Sequence, residues 1–404
     1  MKKIFLVATG VLLGSLAHAQ VQKGIWRAEV FNKGGALPFG LQIEPAGAAN
    51  TFNVWAINGK ERLKMDASTL KGDSLHIPME LFDAELVGKV AGNQMTGVYK
   101  KKRGKAVLTL PFRAEFGKEY RFAPQPKPTS WNIAGKYAAT FKQADGKTSE
   151  AVGLFEQKGS RVSASFLTPT GDYRFLDGDI VGDSLFLSAY DGSHLFVFKA
   201  RLEKDKISGD YFSGLSGHAS FVSVKDEKAA LPDEKSLTFL KPGFDKVSFS
   251  FPDAQSGKKV TLDDPRFKGK VVILQIMGSW CPNCMDETNF LVPWYKKNAK
   301  RGVEILGLSY ERSDDFAVAA PKIKRMVDRF QIPYPVVLAG AADQTASATL
   351  PMLNRIMGYP TTIYIDKTGK VREIHTGFSG PGTGKYYDQY VEDFNRLMDK
   401  LLAE

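Results

Sequence analysis

Cys281 and Cys284 are the only cysteines in a chain of 404 residues, and Pro282 and Asn283 separate them. Two thiols at this spacing either cycle between dithiol and disulfide or supply half of a tetrahedral metal site. Zinc or copper would need further ligands, and the five histidines, His18, His76, His194, His218 and His375, are scattered singly. A site completed by His375 is the metal alternative; the isolated pair favours redox chemistry. Upstream, Val271 to Met277 is a continuous apolar run rich in β-branched residues, which predicts a strand buried on both faces. Downstream, Phe290, Leu291, Trp294 and Tyr295 recur at helical spacing until Gly302, so Cys281 opens a helix. Unpaired N–H groups and partial positive charge at a helix start stabilise a thiolate. Cys281 is therefore the expected attacking sulfur, with a pKa below the free value of about 8.5. Pro282 suits the first helical turn, and Cys284, at i+3, is the expected resolving cysteine.

Further residues could complete such a site. Glu287 lies three positions past Cys284 on the same helix face, where it could accept the Cys284 proton; alternatively it complements the helix dipole, the role expected of Asp286. Gln275, six residues before Cys281 on the strand, cannot take a proton. Trp280 is either a flat exposed platform flanking the sulfur or a packed aromatic. Pro360 begins a strand over Thr361 to Ile365, followed by a turn at Asp366-Lys367-Thr368-Gly369 and a second strand from Val371 to His375.

Taken together, Gly278-Ser279-Trp280-Cys281-Pro282-Asn283-Cys284, Glu287 and Tyr359-Pro360-Thr361-Thr362 before a hairpin resemble the thioredoxin-like fold of the TlpA/ResA type. These are extracytoplasmic thiol-disulfide oxidoreductases. The resemblance runs from Val247 to the C-terminus and includes extra elements between Val303 and Leu353. It implies that Pro360 is cis and faces the cysteines, leaving the backbone of Tyr359 for a substrate strand, and that Trp280 contacts partners. It also implies that the proton-accepting acid sits on the helix, as Glu287 does, rather than on the strand. Tyr359 stands where a smaller residue is frequent, so the shape of the substrate groove is this chain's own. Reduction of exported proteins, with apocytochrome c thiols as one example, and electrons from a membrane donor follow from the same resemblance. No cofactor is expected beyond the Cys281/Cys284 pair. A peroxiredoxin would carry a threonine and a proline three and seven residues before its reactive cysteine, where Gly278 and Leu274 stand. A non-catalytic binding or adhesion protein is the other alternative.

Lys2 and Lys3, an apolar run from Ile4 to Leu16 and Ala17-His18-Ala19 predict a signal peptide over 1–19. No cysteine follows for lipid attachment, and no stretch is apolar over enough residues to predict a membrane span. A periplasmic location follows as an expectation. Without a third thiol, both the disulfide acted on and the recharging electrons must come from other molecules.

Residues 22–122 and 130–225 read as two related all-β repeats, offset by about 110 residues. Gly72-Asp73-Ser74-Leu75 matches Gly182-Asp183-Ser184-Leu185, and Met95-Thr96-Gly97-Val98-Tyr99 matches Ile207-Ser208-Gly209-Asp210-Tyr211. Each predicts an antiparallel meander of six to eight strands: a small barrel, half of a larger one, or one half of a shared sandwich. Ala123 to Pro128 is a proline-rich joint, and 226–246 a linker to the redox domain over 247–404. Binding, positioning or homodimer formation is the expected role of the repeats. Lys100-Lys101-Lys102-Arg103-Gly104-Lys105 reads as a solvated basic turn that could meet an acidic partner or lipid. The net charge of +11 is diffuse and does not point to nucleic acid.

Overall fold

The computed structural model describes residues 20–404, so the expected signal peptide lies outside the described residues. Two closed antiparallel barrels precede a mixed α/β domain. The first contains nine strands from Gly24–Asn32 to Ala106–Phe116. Eight form a ring, sealed where Trp26 pairs with Phe116 and where Thr51–Asn58 meets both Gly35–Pro45 and Ser68–Lys71. The ninth, Glu61–Lys64, is a side ribbon on Thr51–Asn58. The second barrel, from Gly135–Gln143 to Gly217–Lys225, repeats this order strand for strand, with Gly171–Asp172 as its side ribbon. Each repeat thus closes on itself through eight strands, the upper end of the expected range, with a ninth short strand attached outside the ring, and no sandwich is shared.

Physical reasons for the repeated sequences are visible. Gly72 and Gly182 turn with φ of 62° and 64°, a region costly for residues with a side chain. Gly97 and Gly209 sit where a Cβ would overlap the carbonyl oxygens of Val87 and Lys199 on the neighbouring strands. The barrel interiors are filled with side chains, Trp26, Phe39 and Leu41 in one and Phe141, Phe166 and Phe198 in the other. Phe39 stacks on Tyr190 at 4.1 Å, and the buried Arg121 donates to Asn58, Ser188 and Ile57, so the barrels adhere to each other.

In the α/β domain, β1 (Val271–Met277) is central and buried throughout. It runs parallel to β2 (Val303–Glu311), which in turn runs parallel to β3 (Val336–Ala341). On its other side it is antiparallel to β4 (Thr361–Ile365), which pairs with β5 (Val371–Thr376). Helices α1 (Pro282–Asn298), α2 (Phe316–Phe330) and α3 (Lys385–Ala403) share a core with Val271, Ile273 and Met277. Val272, Leu274 and Ile276 point oppositely, into a layer containing Val247, Phe267 and Leu350. Among the described residues, no helix is long and apolar enough to cross a membrane.

Phe166 stacks on Phe198 at 5.2 Å and meets Phe141 and Phe155 edge-on inside the second barrel. Phe166→Ala is expected to cost about 3–5 kcal/mol. Denaturant unfolding of the full chain measures this, and a loss below about 1 kcal/mol would mean that the interior is loosely packed.

Candidate active site

Cys281 caps the N-terminus of α1: its Sγ lies 3.2 Å from the Cys284 N–H, and Pro282 occupies the first helical turn. The two cysteines form a disulfide. Cys281 is 5% exposed and Cys284 fully buried, so Cys281 is the sulfur nearer to solvent. The Tyr359–Pro360 bond is cis, and the Tyr359 carbonyl oxygen lies 3.6 Å from Cys281 Sγ. The helix start and the loop before β4 therefore meet at one sulfur.

Behind the disulfide lies Glu287, fully buried on α1. Its Oε1 accepts from Thr362 Oγ1 at 2.6 Å and from the Tyr390 hydroxyl at 3.4 Å, and its Oε2 from Gln275 Nε2 at 2.8 Å. Burial pushes this carboxyl up to about 7, against the opposing effect of those three donors. Gln275, unable to take a proton, has a different place: its amide also lies 3.4 Å from the Cys284 carbonyl oxygen, linking the carboxyl to the helix turn that carries the second sulfur. Thr288 Oγ1 donates to the same carbonyl at 2.8 Å.

Two sequence expectations need correction. Asp286 does not serve the helix dipole; it is turned inward against Arg174 of the second barrel, and burial raises its carboxyl to about 7. Trp280 is not a free platform. Its indole N–H donates to the Tyr310 carbonyl at 2.9 Å, its ring meets Tyr359 edge-on at 5.6 Å, and the Arg312 guanidinium covers it at 3.8 Å. A buried indole N–H requires an acceptor, and this one fixes the ring beside the sulfur. His375 lies elsewhere, against Tyr390 and 3.9 Å from Glu234. No group of three or more His, Cys, Asp or Glu suited to a metal ion occurs among the described residues.

Sequence reading missed the wall that the barrels build around the disulfide. Asn283, between the cysteines, donates to the Asp172 carbonyl at 3.2 Å. Asp172 Oδ2 accepts from the Gly380 N–H at 2.7 Å. The buried Arg174 guanidinium reaches the Pro282 carbonyl at 3.3 Å, Glu61 of the first barrel at 2.6 Å and Asp286. Asp191 lies 3.6 Å from Arg174 Nε. Nothing in local spacing announces these contacts; the nearest signal is the glycine-dense run 377–384, which leaves room for the barrel backbone.

A thiol pair at a helix start, a cis proline against the first sulfur and a buried carboxyl on the same helix, bridged by Gln275 to the Cys284 backbone, form a site suited to disulfide exchange. The Redoxin family model matches residues 241–390. The thiol-disulfide oxidoreductase ResA of Bacillus thuringiensis subsp. konkukian is 32% identical over 138 residues, which cover 34% of this chain and 69% of that protein. The chain belongs to the TlpA/ResA type of thioredoxin-like thiol-disulfide oxidoreductases. ResA of Geobacillus thermodenitrificans is 33% identical over 123 residues, covering 30% of this chain and 62% of that protein. A thioredoxin-family thiol:disulfide interchange protein from Chlorobium tepidum aligns with a TM-score of 0.30 at 25% identity, covering 39% of this chain and 95% of that one. Both barrels lie outside the residues matched by the family model.

Removing one partner of a buried charge cluster leaves the others uncompensated. Arg174→Ala is therefore expected to cost about 3–5 kcal/mol, with Arg174→Lys recovering part of it. Thermal and denaturant unfolding would show this, and a neutral Arg174→Ala would mean that Glu61, Asp191 and Asp286 are satisfied without it.

Proposed function

We propose that this chain is an exported reductase that opens disulfides of other periplasmic proteins through Cys281 and Cys284. The observation that carries this reading is Cys281 Sγ at the start of α1, 3.6 Å from the backbone oxygen of Tyr359, with the buried Glu287 on the same helix. Lys2, Lys3 and the apolar run ending before Ala17-His18-Ala19 support export.

In the dithiol form, the Cys281 thiolate attacks one sulfur of the partner disulfide, and the partner's other sulfur leaves as a thiolate that takes up a proton. Cys284 then gives its proton to Glu287 and attacks Cys281. That closes the Cys281–Cys284 disulfide and releases the partner with both sulfurs reduced. Two electrons have left the protein, so an outside dithiol must restore them; a membrane donor is the proposed source. Trp280 and the Tyr359 backbone flank the attacked bond, with Pro360 holding the Tyr359 carbonyl towards the sulfur.

Cys284→Ser is expected to accumulate covalent adducts with partner proteins on non-reducing gels, whereas Cys281→Ser accumulates none. Equal trapping by both variants would sink the assignment of roles. The Cys281–Cys284 potential, measured in thiol buffers, should lie near the thioredoxin end at about −270 mV; a value near −120 mV would mean a disulfide donor.

Glu287 must be ionised to accept a proton, so the resolving step should speed up as pH rises through about 7. In Glu287→Gln that inflection disappears and resolution slows near neutrality; stopped-flow traces still showing it would remove the acid-base role. Stability follows the opposite sign. A carboxyl raised on folding contributes stability that is complete below its unfolded pKa and lost as pH rises through about 7.

A further inference from the structure

The second barrel closes one flank of the disulfide. Its segment from Pro169 to Arg174 lies against Gly358, Gly377, Gly380 and Gly382 of the redox domain. A Cβ at Gly358 would overlap Thr170, and one at Gly377 would lie 3.0 Å from the Pro169 oxygen. Gly171 is equally tight against Asn283. With such contacts in place, a partner cannot enter between Pro360 and the β5–α3 loop.

The opposite flank, past Trp280 and Tyr359, is rimmed by basic side chains. Arg312 stacks on Trp280 at 3.8 Å and stays exposed. Its neighbour Glu311 makes no direct ion pair with it, since Glu311 is turned inward to accept from Ser279 N–H at 2.9 Å, Ser279 Oγ at 2.8 Å and Ser309 Oγ at 2.7 Å, although its charge still favours the Arg312 cation. The basic turn of the first barrel adds to this rim. The Lys102 N–H donates to the Asp83 carbonyl at 2.8 Å, and Lys101 Nζ lies 5.8 Å above the Phe82 ring, which packs on the redox core. Burial lowers the Lys101 ammonium to about 8, with Asp191 and Asp83 opposing the shift and the charges of Arg312 and Arg103 adding to it. Among the described residues, none of Lys101, Lys102, Arg103, Lys105 and Arg312 has a carboxylate within 4 Å, in contrast to Arg174 on the closed flank. Exposed cations without carboxylate partners, one of them stacked on Trp280, favour an anionic ligand.

We propose that Arg312, Arg103 and Lys101 form a docking rim for protein partners with acidic residues next to the disulfide presented to Cys281. This rests on the reading of Cys281 and Cys284 as the thiol-disulfide site. The turn read in the sequence as solvated is then part of substrate selection, delivered to the site by the first barrel.

Two peptides with the same disulfide loop, one flanked by glutamates and one by glutamines, test the rim against the reduced full chain. At low ionic strength the acidic peptide should be reduced roughly tenfold faster, the ratio falling towards one in salt and in Arg103→Glu and Arg312→Gln. Arg103→Lys should keep the preference. Equal rates for the two peptides, or a preference untouched by Arg103→Glu, would overturn the rim. Titration of the acidic peptide into the Cys281→Ser/Cys284→Ser chain separates the two claims. Salt-sensitive binding there without reduction by the native chain would keep the rim and overturn the reductase reading, whereas reduction of both peptides at one rate would do the reverse.

Discussion

One buried guanidinium ties the molecule together. Arg174 has no water to solvate its charge, so Glu61 from the first barrel, Asp191 from the second and Asp286 from α1 must converge on it. That convergence places both side ribbons, Glu61–Lys64 and Gly171–Asp172, on the face of the redox domain where α1 begins. Because the Arg174 guanidinium also contacts the Pro282 carbonyl, the residues between the cysteines are held by the barrels as well as by their own helix.

Charge is managed differently on the two sides of the disulfide. Behind it, Glu287 is held without any cation: three neutral donors, from Thr362, Gln275 and Tyr390, surround a carboxyl whose ionised form burial disfavours. Such a group sits where a proton can be taken or returned near neutral pH. In front, Lys102, Arg103, Lys105 and Arg312 face solvent with no carboxylate within ion-pair distance among the described residues.

The repeats make a wall as well as an attachment. Identical strand order in the two barrels lets equivalent ribbons meet the redox domain from both sides, yet their sequences diverged there: one supplies Glu61 and Asp66, the other Asp172 and Arg174. Asp66 pairs with Arg329 and Asp83 with Lys322, both on α2, so the first barrel also grips the helix beyond the site. The barrels thereby cover the side of the disulfide on which Pro282 and Asn283 lie.

Local signals in the sequence determined the redox pair, the strand and helix that carry it, the proline before β4, the acid on α1 and the repetition of the β region. Each of these depends on spacing within a few residues or on a fixed offset between copies, and periodicity or turn chemistry reports them directly. Ring closure of each repeat, the inward turn of Asp286, the Arg312 cover over Trp280 and the place of Gln275 beside Glu287 were decided only in three dimensions. Asp286 looked like an ordinary helix acid because its partner, Arg174, lies 112 residues away in the sequence. Which charges are neutralised and which stay free depends on the surfaces that burial brings together, and no local pattern encodes that.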